Sequence, residues 1–280
     1  MEPDLKRSTE NLATNLRNRA LKMALDCGNN GSHLGGGLST IEIFATLYGA
    51  VMNFDLNHPF WEDRDRLIVS KGHCVLAYYS VLNHVGFISD DELLSFETNG
   101  SFLHGHATRN LNKGIEFSGG SLGMGMPYAV GVALAGLLKN LSYHVYVIVG
   151  DGECNEGSVW EAFMSAAHHK LYNLTVIIDD NKLQFDGESE KVLNLGSLRE
   201  KMDSFGFYTQ SVDGHSVESL FSALTQRSYD KPNAIIADTV KGKGVSFMEH
   251  KKEWHHSRLS TAQYELACTE QPTLKEDSND

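Results

Sequence analysis

Asp151 and Asn181 stand at the ends of two apolar runs, "VYVIVGDG" and "LTVIIDDN". A carboxylate and an amide oxygen are hard ligands of the kind Mg²⁺ and Ca²⁺ take, and Mg²⁺ fills its other positions with water and phosphate oxygens. Gly150 and Gly152 flank the carboxylate and leave room for a phosphate beside the backbone. A second glycine-rich stretch, "GGSLGMG" (119–125), opens an apolar helix whose first N–H groups can cradle an anion. Together these features point to a metal that holds a diphosphate. Asp and Asn also cap helices and close turns, and on spacing alone that reading has about equal weight.

The chain has 13 histidines, several beside glycine or in pairs: His33, His73, His104-Gly105-His106 and His255-His256. Each could be an exposed or polar-paired residue. Several in loop-like contexts could share one site for moving protons near neutral pH. His104 and His106 could instead offer a zinc pair, but no HExxH or Cys-x-x-Cys pattern accompanies them. His58, His84, His144, His168, His169 and His215 read as surface or packing residues. The scattered Cys27, Cys74, Cys154 and Cys268 suit a reducing cytoplasm better than a disulfide framework. Cys154 reads as a small packed side chain.

The elements that must position these groups follow from periodicity. Helices are predicted over 8–26, 39–52, 74–86, 90–97, 122–139, 157–170, 197–205 and 216–228. Ser39 with Glu42 suggests a capping box for the second of them. The "GNNGSHLGGG" stretch reads as a loop, and "RLIVSKGH" as a strand running into a glycine turn. Further strands are predicted over 144–149, 174–179, 207–212 and 234–240. Their alternation with helices implies an α/β fold, a parallel β-sheet flanked by helices on both faces. Ligands of such sheets bind outside the carboxyl ends of the strands, where Asp151 and Asn181 fall.

Residues 1–268 read as a single domain and the polar stretch 269–280 as a disordered tail. The charged start "MEPDLKRSTE" does not read as a signal peptide, and no apolar run is long enough to span a membrane. A net charge of −12 argues against a nucleic-acid surface, while leaving room for a local anion site.

The sequence resembles the N-terminal, diphosphate-binding part of the transketolase family. GDG followed by an Asn at the next strand end is the thiamine diphosphate motif, here Gly150-Asp151-Gly152 and Asn181. "GSHLGGGLS" (31–39) is similar to the family's GHxG segment, "DRDRLIVSKGH" (63–73) to DRDRxxxSxGH, and "HGHA" (104–107) to the segment with a third histidine. "GGSLGMG" is similar to GPLGQG, and "KGKGVSFMEHKKEWH" (241–255) to the last histidine segment. The resemblance covers about residues 10 to 265.

It implies a thiamine diphosphate-binding fold with thiamine diphosphate and Mg²⁺ as cofactors, and Ca²⁺ or Mn²⁺ as substitutes. Asp151, Asn181 and the Leu183 carbonyl would bind the metal. His73, Gly120, Ser121, Leu122, Gly152, Asn181 and His255 would touch the cofactor. Glu156, at the family's acidic position, joins that set, as an interface carboxylate or as the first-turn acid of helix 157–170. His33, His73, His106 and His255 would line the pocket where the sugar reacts, with His106 preferred to His104 and His255 to His256. Relatives usually carry glycine at the position of His256.

The implied activity is transfer of a two-carbon ketol unit from a ketose or ketose phosphate to an aldose. Transketolases continue into a pyrimidine-binding domain that supplies an activating glutamate. The resemblance therefore implies one subunit of a split enzyme, partnered in an α₂β₂ heterotetramer by a C-terminal transketolase subunit; the charge and the short apolar runs point to no nucleic-acid or membrane partner. Ser121 and Met124 replace the proline and glutamine of GPLGQG, which bears on the contacts of that loop. Deoxyxylulose-phosphate synthases and the α subunits of 2-oxo acid dehydrogenases share the GDG-and-Asn logic and form the alternative. A catalytically idle regulator that keeps the fold is a further one.

Overall fold

The computed structural model of the chain describes residues 1–274. Helix α1 (Pro3–Asp26) carries Pro3 in its first turn, where a missing N–H costs nothing. It buries Leu12, Leu16, Ala20 and Met23 at helical spacing. The predicted helix over 39–52 is instead two pieces, α3 (Ile41–Thr46) and a wide turn over Leu47–Val51, and a further short helix, α2 (Leu34–Leu38), precedes them. Ser39 closes α2 rather than capping α3, and its hydroxyl donates to the Asp179 carboxylate at 2.8 Å. Glu42 pairs with the Arg17 guanidinium and accepts from His215 Nδ1 at 2.9 Å. Long-range partners thus outcompete the local cap.

The three glycines of α2 stand where a loop is predicted. A Cβ on Gly36 would lie 2.7 Å from the His73 ring, and one on Gly35 would lie 2.9 Å from the Lys241 side chain. Close packing here overrides glycine's poor helix propensity.

Strand β1 (Arg66–Val69) follows, then α4 (Val75–His84), α5 (Asp90–Leu94) and α6 (Gly125–Leu138). Ser89 and Glu92 form a reciprocal capping box at the start of α5. Next come β2 (Val145–Gly150), α7 (Gly157–His168), β3 (Leu174–Asp180), α8 (Ser189–Leu193) and α9 (Leu198–Phe205). The chain continues through β4 (Tyr208–Asp213), α10 (Val217–Thr225), β5 (Asn233–Asp238) and α11 (Thr261–Thr269). Helices α8 and α11 are additions to the sequence-based prediction.

The five strands pair in parallel in the order β1-β2-β3-β5-β4. Alternate residues of the central strands feed two cores. Tyr146, Ile148, Ile177 and Ile235 pack with α1, α3, α4 and α10. Val145, Val147, Val149, Val176 and Ile178 pack with α6, α7 and α9. That is the period-two pattern of a sheet covered on both faces, and it makes the fold α/β as expected.

Gln271 Nε2 donates to the Gly244 carbonyl at 2.8 Å and to the Ala267 carbonyl at 2.7 Å, beyond the predicted boundary at 268. Residues 275–280 of the expected disordered tail lie outside the described residues. Among the described residues no helix is long and apolar enough to cross a membrane.

Candidate active site

Strands β2 and β3 are neighbours in register, with Gly150 opposite Asp179. Asp151 and Asn181 therefore leave the same sheet edge side by side. The Asp151 N–H donates to the Asp179 carbonyl at 3.1 Å and ties the two ends together. The Asp151 side chain is buried, and its Oδ2 accepts from Ser189 Oγ of α8 at 2.6 Å. Burial raises its carboxyl above the usual range, against the opposing pull of the Ser189 bond. Asn181 Nδ2 donates to Asp179 Oδ2 at 2.9 Å, and its Oδ1 accepts from the Leu183 N–H at 3.1 Å. These two bonds fix which way the amide points. A carboxylate, an amide oxygen and the Leu183 carbonyl make an oxygen donor set of the type hard cations take.

Asp179 and Lys71 brace this corner from behind. Both side chains are fully buried and form an ion pair. Lys71 Nζ also donates to the Gly36 carbonyl at 3.0 Å and to Ser39 Oγ at 3.1 Å, so all three ammonium protons have acceptors. Asp179 accepts in addition from Ser39, Thr239 and Asn181. Burial alone would raise the Asp179 carboxyl. The Lys71 charge and these donors outweigh it and hold the group below its usual range.

The opposite wall is built of imidazoles from four distant segments. His33 lies 5.7 Å from His73, 5.1 Å from His106 and 5.6 Å from His255, centroid to centroid. His73 and His255 lie 4.8 Å apart. Lys241 Nζ donates to the carbonyls of Leu183 and Gln184 at 3.0 and 3.3 Å and meets His255 Nδ1 at 2.9 Å. A charged Lys241 spends its three protons on these acceptors, so His255 Nδ1 accepts and its proton sits on Nε2. Burial, then repulsion from Lys71, lowers Lys241 to about 8. Burial, then the charges of neighbouring histidines and Lys241, lowers His33 to about 3; burial, then Lys241, lowers His255 to about 3. Burial also lowers His73 and His106. Near neutral pH the wall is uncharged; His33, His73 and His106 each offer one donor and one acceptor, and His255 offers its Nε2–H donor.

Between corner and wall lies a cavity of about 340 Å³. Asp151, Gly152, Asn181 and Leu183 line one side; His33, His73, His106 and His255 line the other; Gly120 and Leu122 line its rim. Ser121 and Glu156 are exposed beside it rather than in its wall. Glu156 is the residue at which α7 starts. A larger groove of about 610 Å³ runs between α1 and α5, but no strand ends or glycine loops converge there.

The glycine loops meet backbone to backbone: a Cβ on Gly72 would lie 2.8 Å from the Gly120 nitrogen, and Gly120 itself has φ of 130°. The Gly123 N–H, part of the expected anion cradle, donates instead to Glu153 Oε1 at 2.9 Å. Glu153 also accepts from the Gly150 N–H at 3.1 Å and from Ser70, so this buried acid staples both loops together. Among the described residues no three His, Cys, Asp or Glu side chains gather as a metal would need. A zinc site on His104 and His106 therefore lacks a third ligand. His104 lies outside the cavity wall, and its carbonyl accepts from Tyr79.

Lys71, Glu153 and Gln184 also line the cavity, and Lys241 stands behind it on His255 and the Leu183 and Gln184 carbonyls; none of the four stands out from the sequence pattern alone. A weak signal for the two lysines was present. Each is flanked by glycine, in "SKGH" and "KGKG", where a surface lysine has no need of close backbone approach.

Residues 10–271 match the family described as "Transketolase, thiamine diphosphate binding domain". The chain is 39% identical over 240 residues to the 6-deoxy-6-sulfo-D-fructose transketolase subunit SqwG of Clostridium sp., covering 85% of this chain and 87% of that one. It is 40% identical to an apulose-4-phosphate transketolase subunit of Phocaeicola vulgatus, covering 85% of each. Among solved structures, transketolase from Leishmania mexicana superposes with a TM-score of 0.88 at 28% identity, covering 97% of this chain and 43% of that one. Transketolase from Campylobacter jejuni gives 0.85 at 27%, covering 96% and 43%. The chain thus spans less than half the length of these two enzymes but most of the length of the two subunits. It belongs to the transketolase thiamine diphosphate-binding domain family.

Proposed function

We propose that this chain is the thiamine diphosphate-holding subunit of a two-chain transketolase, moving a two-carbon ketol unit from a ketose to an aldose. The observation that carries the reading is one cavity with an oxygen donor set on one wall and four neutral imidazoles on the other. Asp151, Asn181 and the Leu183 carbonyl would hold Mg²⁺, or Ca²⁺ or Mn²⁺ in its place, and the metal would supply positive charge for the diphosphate. The raised, buried Asp151 carboxyl supports this, because a cation is what such a group needs to stay ionised. Lys241 sets a positive charge against the Leu183 carbonyl. Residues 1–268 act as one thiamine diphosphate-binding unit.

When bound, thiamine diphosphate supplies the carbon nucleophile that takes and gives the two-carbon unit. The residues of this chain do the rest. His255, with Nε2–H turned from Lys241, donates to a sugar oxygen. His33, His73 and His106 accept and return protons as hydroxyls become carbonyls and back. Their lowered proton affinity keeps a lone pair free on each ring at neutral pH. The relatives' names, one with a sulfonated ketose and one with a ketose phosphate, support an anionic sugar as substrate.

Helix α6 has no charged residue, and a helix apolar all round is normally covered. Met124, Tyr128 and Leu138 of that segment are exposed, and Leu122 and Phe185 continue the patch to the cavity mouth. This supports docking of a C-terminal transketolase subunit that carries the pyrimidine-binding domain, in an α₂β₂ heterotetramer. Four free cysteines, three of them buried, fit a reducing cytoplasm.

The test is to purify the chain alone and with its candidate partner and to assay ketol transfer with thiamine diphosphate and Mg²⁺. Transfer is expected only from the pair. Strong activity from the chain alone sinks the two-chain reading, and decarboxylation of a 2-oxo acid without ketol transfer sinks the choice of reaction.

A further inference from the structure

Resting on that functional reading, we propose that His256 is a substrate-selecting residue of the same pocket, one that binds the hydroxyl chain of the sugar where it emerges from the cavity. The argument starts from backbone register. Ser32 and Ser257 form an isolated antiparallel bridge, each N–H donating to the other's carbonyl at 3.0 Å. Residues flanking such a doubly bonded pair face each other as the non-hydrogen-bonded pair, with their side chains close on one face. The bridge therefore sets His33 directly opposite His256. The rings meet edge to face, with centroids 4.6 Å apart and planes at 76°.

His33 is the hub of the imidazole wall. It touches His73, His106 and His255 on the cavity side and His256 on the other. His256 therefore extends the wall outward by one ring. It is exposed, whereas the other four rings are partly buried. Among the described residues no hydrogen bond engages its ring nitrogens, in contrast to His255, which is tied to Lys241. A rim imidazole with both nitrogens open can donate to one hydroxyl and accept from another.

Without a side chain at this position the rim would be wider and would lack those two groups. An added ring here reaches atoms of a long acceptor that project past His33. It does not reach a two-carbon acceptor, which ends inside the wall. The consequence is selection by length: His256 favours acceptors with hydroxyls several carbons from the reacting aldehyde. A packing role behind His33 would act differently, changing the orientation of that ring and with it the turnover of every acceptor.

The experiment uses the assembled pair of subunits and compares His256→Gly and His256→Gln with the parent. Acceptors are glycolaldehyde, glyceraldehyde, erythrose 4-phosphate and ribose 5-phosphate, with kcat and KM measured separately. In His256→Gly the ratio of kcat/KM for the five-carbon over the two-carbon acceptor is expected to fall about three- to tenfold, the worth of one or two neutral hydrogen bonds, and to fall through KM. His256→Gln, which keeps a donor and an acceptor, is expected to restore most of it. Thiamine diphosphate affinity, read by quenching of protein fluorescence, checks that each variant keeps its cofactor site. An equal loss for all acceptors, a loss confined to kcat, or an unchanged ratio in His256→Gly overturns the inference and leaves the functional reading intact. A parent pair that transfers no ketol unit to any acceptor overturns both.

Discussion

The two walls of the cavity are built on opposite principles. The oxygen corner rests on the sheet. Asp151 and Asn181 end paired strands, and the Lys71–Asp179 ion pair braces them with nearly every donor and acceptor used. The imidazole wall rests on loops. His33, His73, His106 and His255 come from four segments and meet mainly through ring contacts. The first arrangement suits a fixed anchor. The second leaves ring nitrogens free for a substrate that changes its protons. Anchoring and chemistry should therefore separate under mutation.

The largest expected effect is on the anchor. Asp151→Ala should abolish Mg²⁺-dependent thiamine diphosphate binding in a calorimetric titration, beyond the about 10- to 100-fold loss typical of an outer partner. Retained affinity would break the assignment of that wall. His33→Asn should leave cofactor affinity near the parent's while lowering kcat/KM for ketol transfer by about 10²- to 10⁴-fold, the usual worth of a positioned proton-transfer group. Loss of both properties together would erase the distinction between the walls.

Lys71→Met tests the brace. It strands the Asp179 charge in the interior and should cost about 3–5 kcal/mol in urea unfolding. A smaller effect with intact metal binding would show that the corner stands without its ion pair. The pH dependence of stability probes the other wall. Folding lowers the proton affinity of His33 and His255, so the unfolded chain binds more protons between their folded values of about 3 and the ordinary histidine value of about 6.5. Their contribution is complete above that window and is lost as pH falls through it. Melting temperature should drop over that range, and less steeply in His33→Asn than in the parent.

The smallest effect is expected from His104→Ala. That side chain lies outside the cavity wall, and its residue is held by a backbone bond to Tyr79. Ketol transfer within twofold of the parent would confirm the separation from His106.

Much of this molecule is legible before folding. The apolar runs 144–149 and 174–179 become β2 and β3 nearly residue for residue, because five or six consecutive apolar residues can be buried on both faces only in an inner strand. The region around Ser39 misleads for an equally physical reason. Its capping box is a local pattern, yet Ser39 and Glu42 find buried partners far away, in Asp179, Arg17 and His215. Gly35, Gly36 and Gly37 read as loop because intrinsic propensity takes no account of the Lys241, His73 and Leu76 side chains that press against them in turn. Sequence draws the eye to Glu156 rather than to Glu153, three residues earlier. Only burial separates the two, and burial is not written in a short stretch of sequence.

By itself the sequence determined the alternation of strands and helices, the glycines that let backbones approach, and the chemical types that can hold a metal or move a proton. These are properties of single residues and of spacing along the chain. The tertiary structure alone decided which histidines share a wall, which lysines lose their water, and that an exposed ring at 256 lies against His33. Those outcomes depend on segments brought together from across the chain. The local pattern of each segment carries no record of the distances and burial that set its charge.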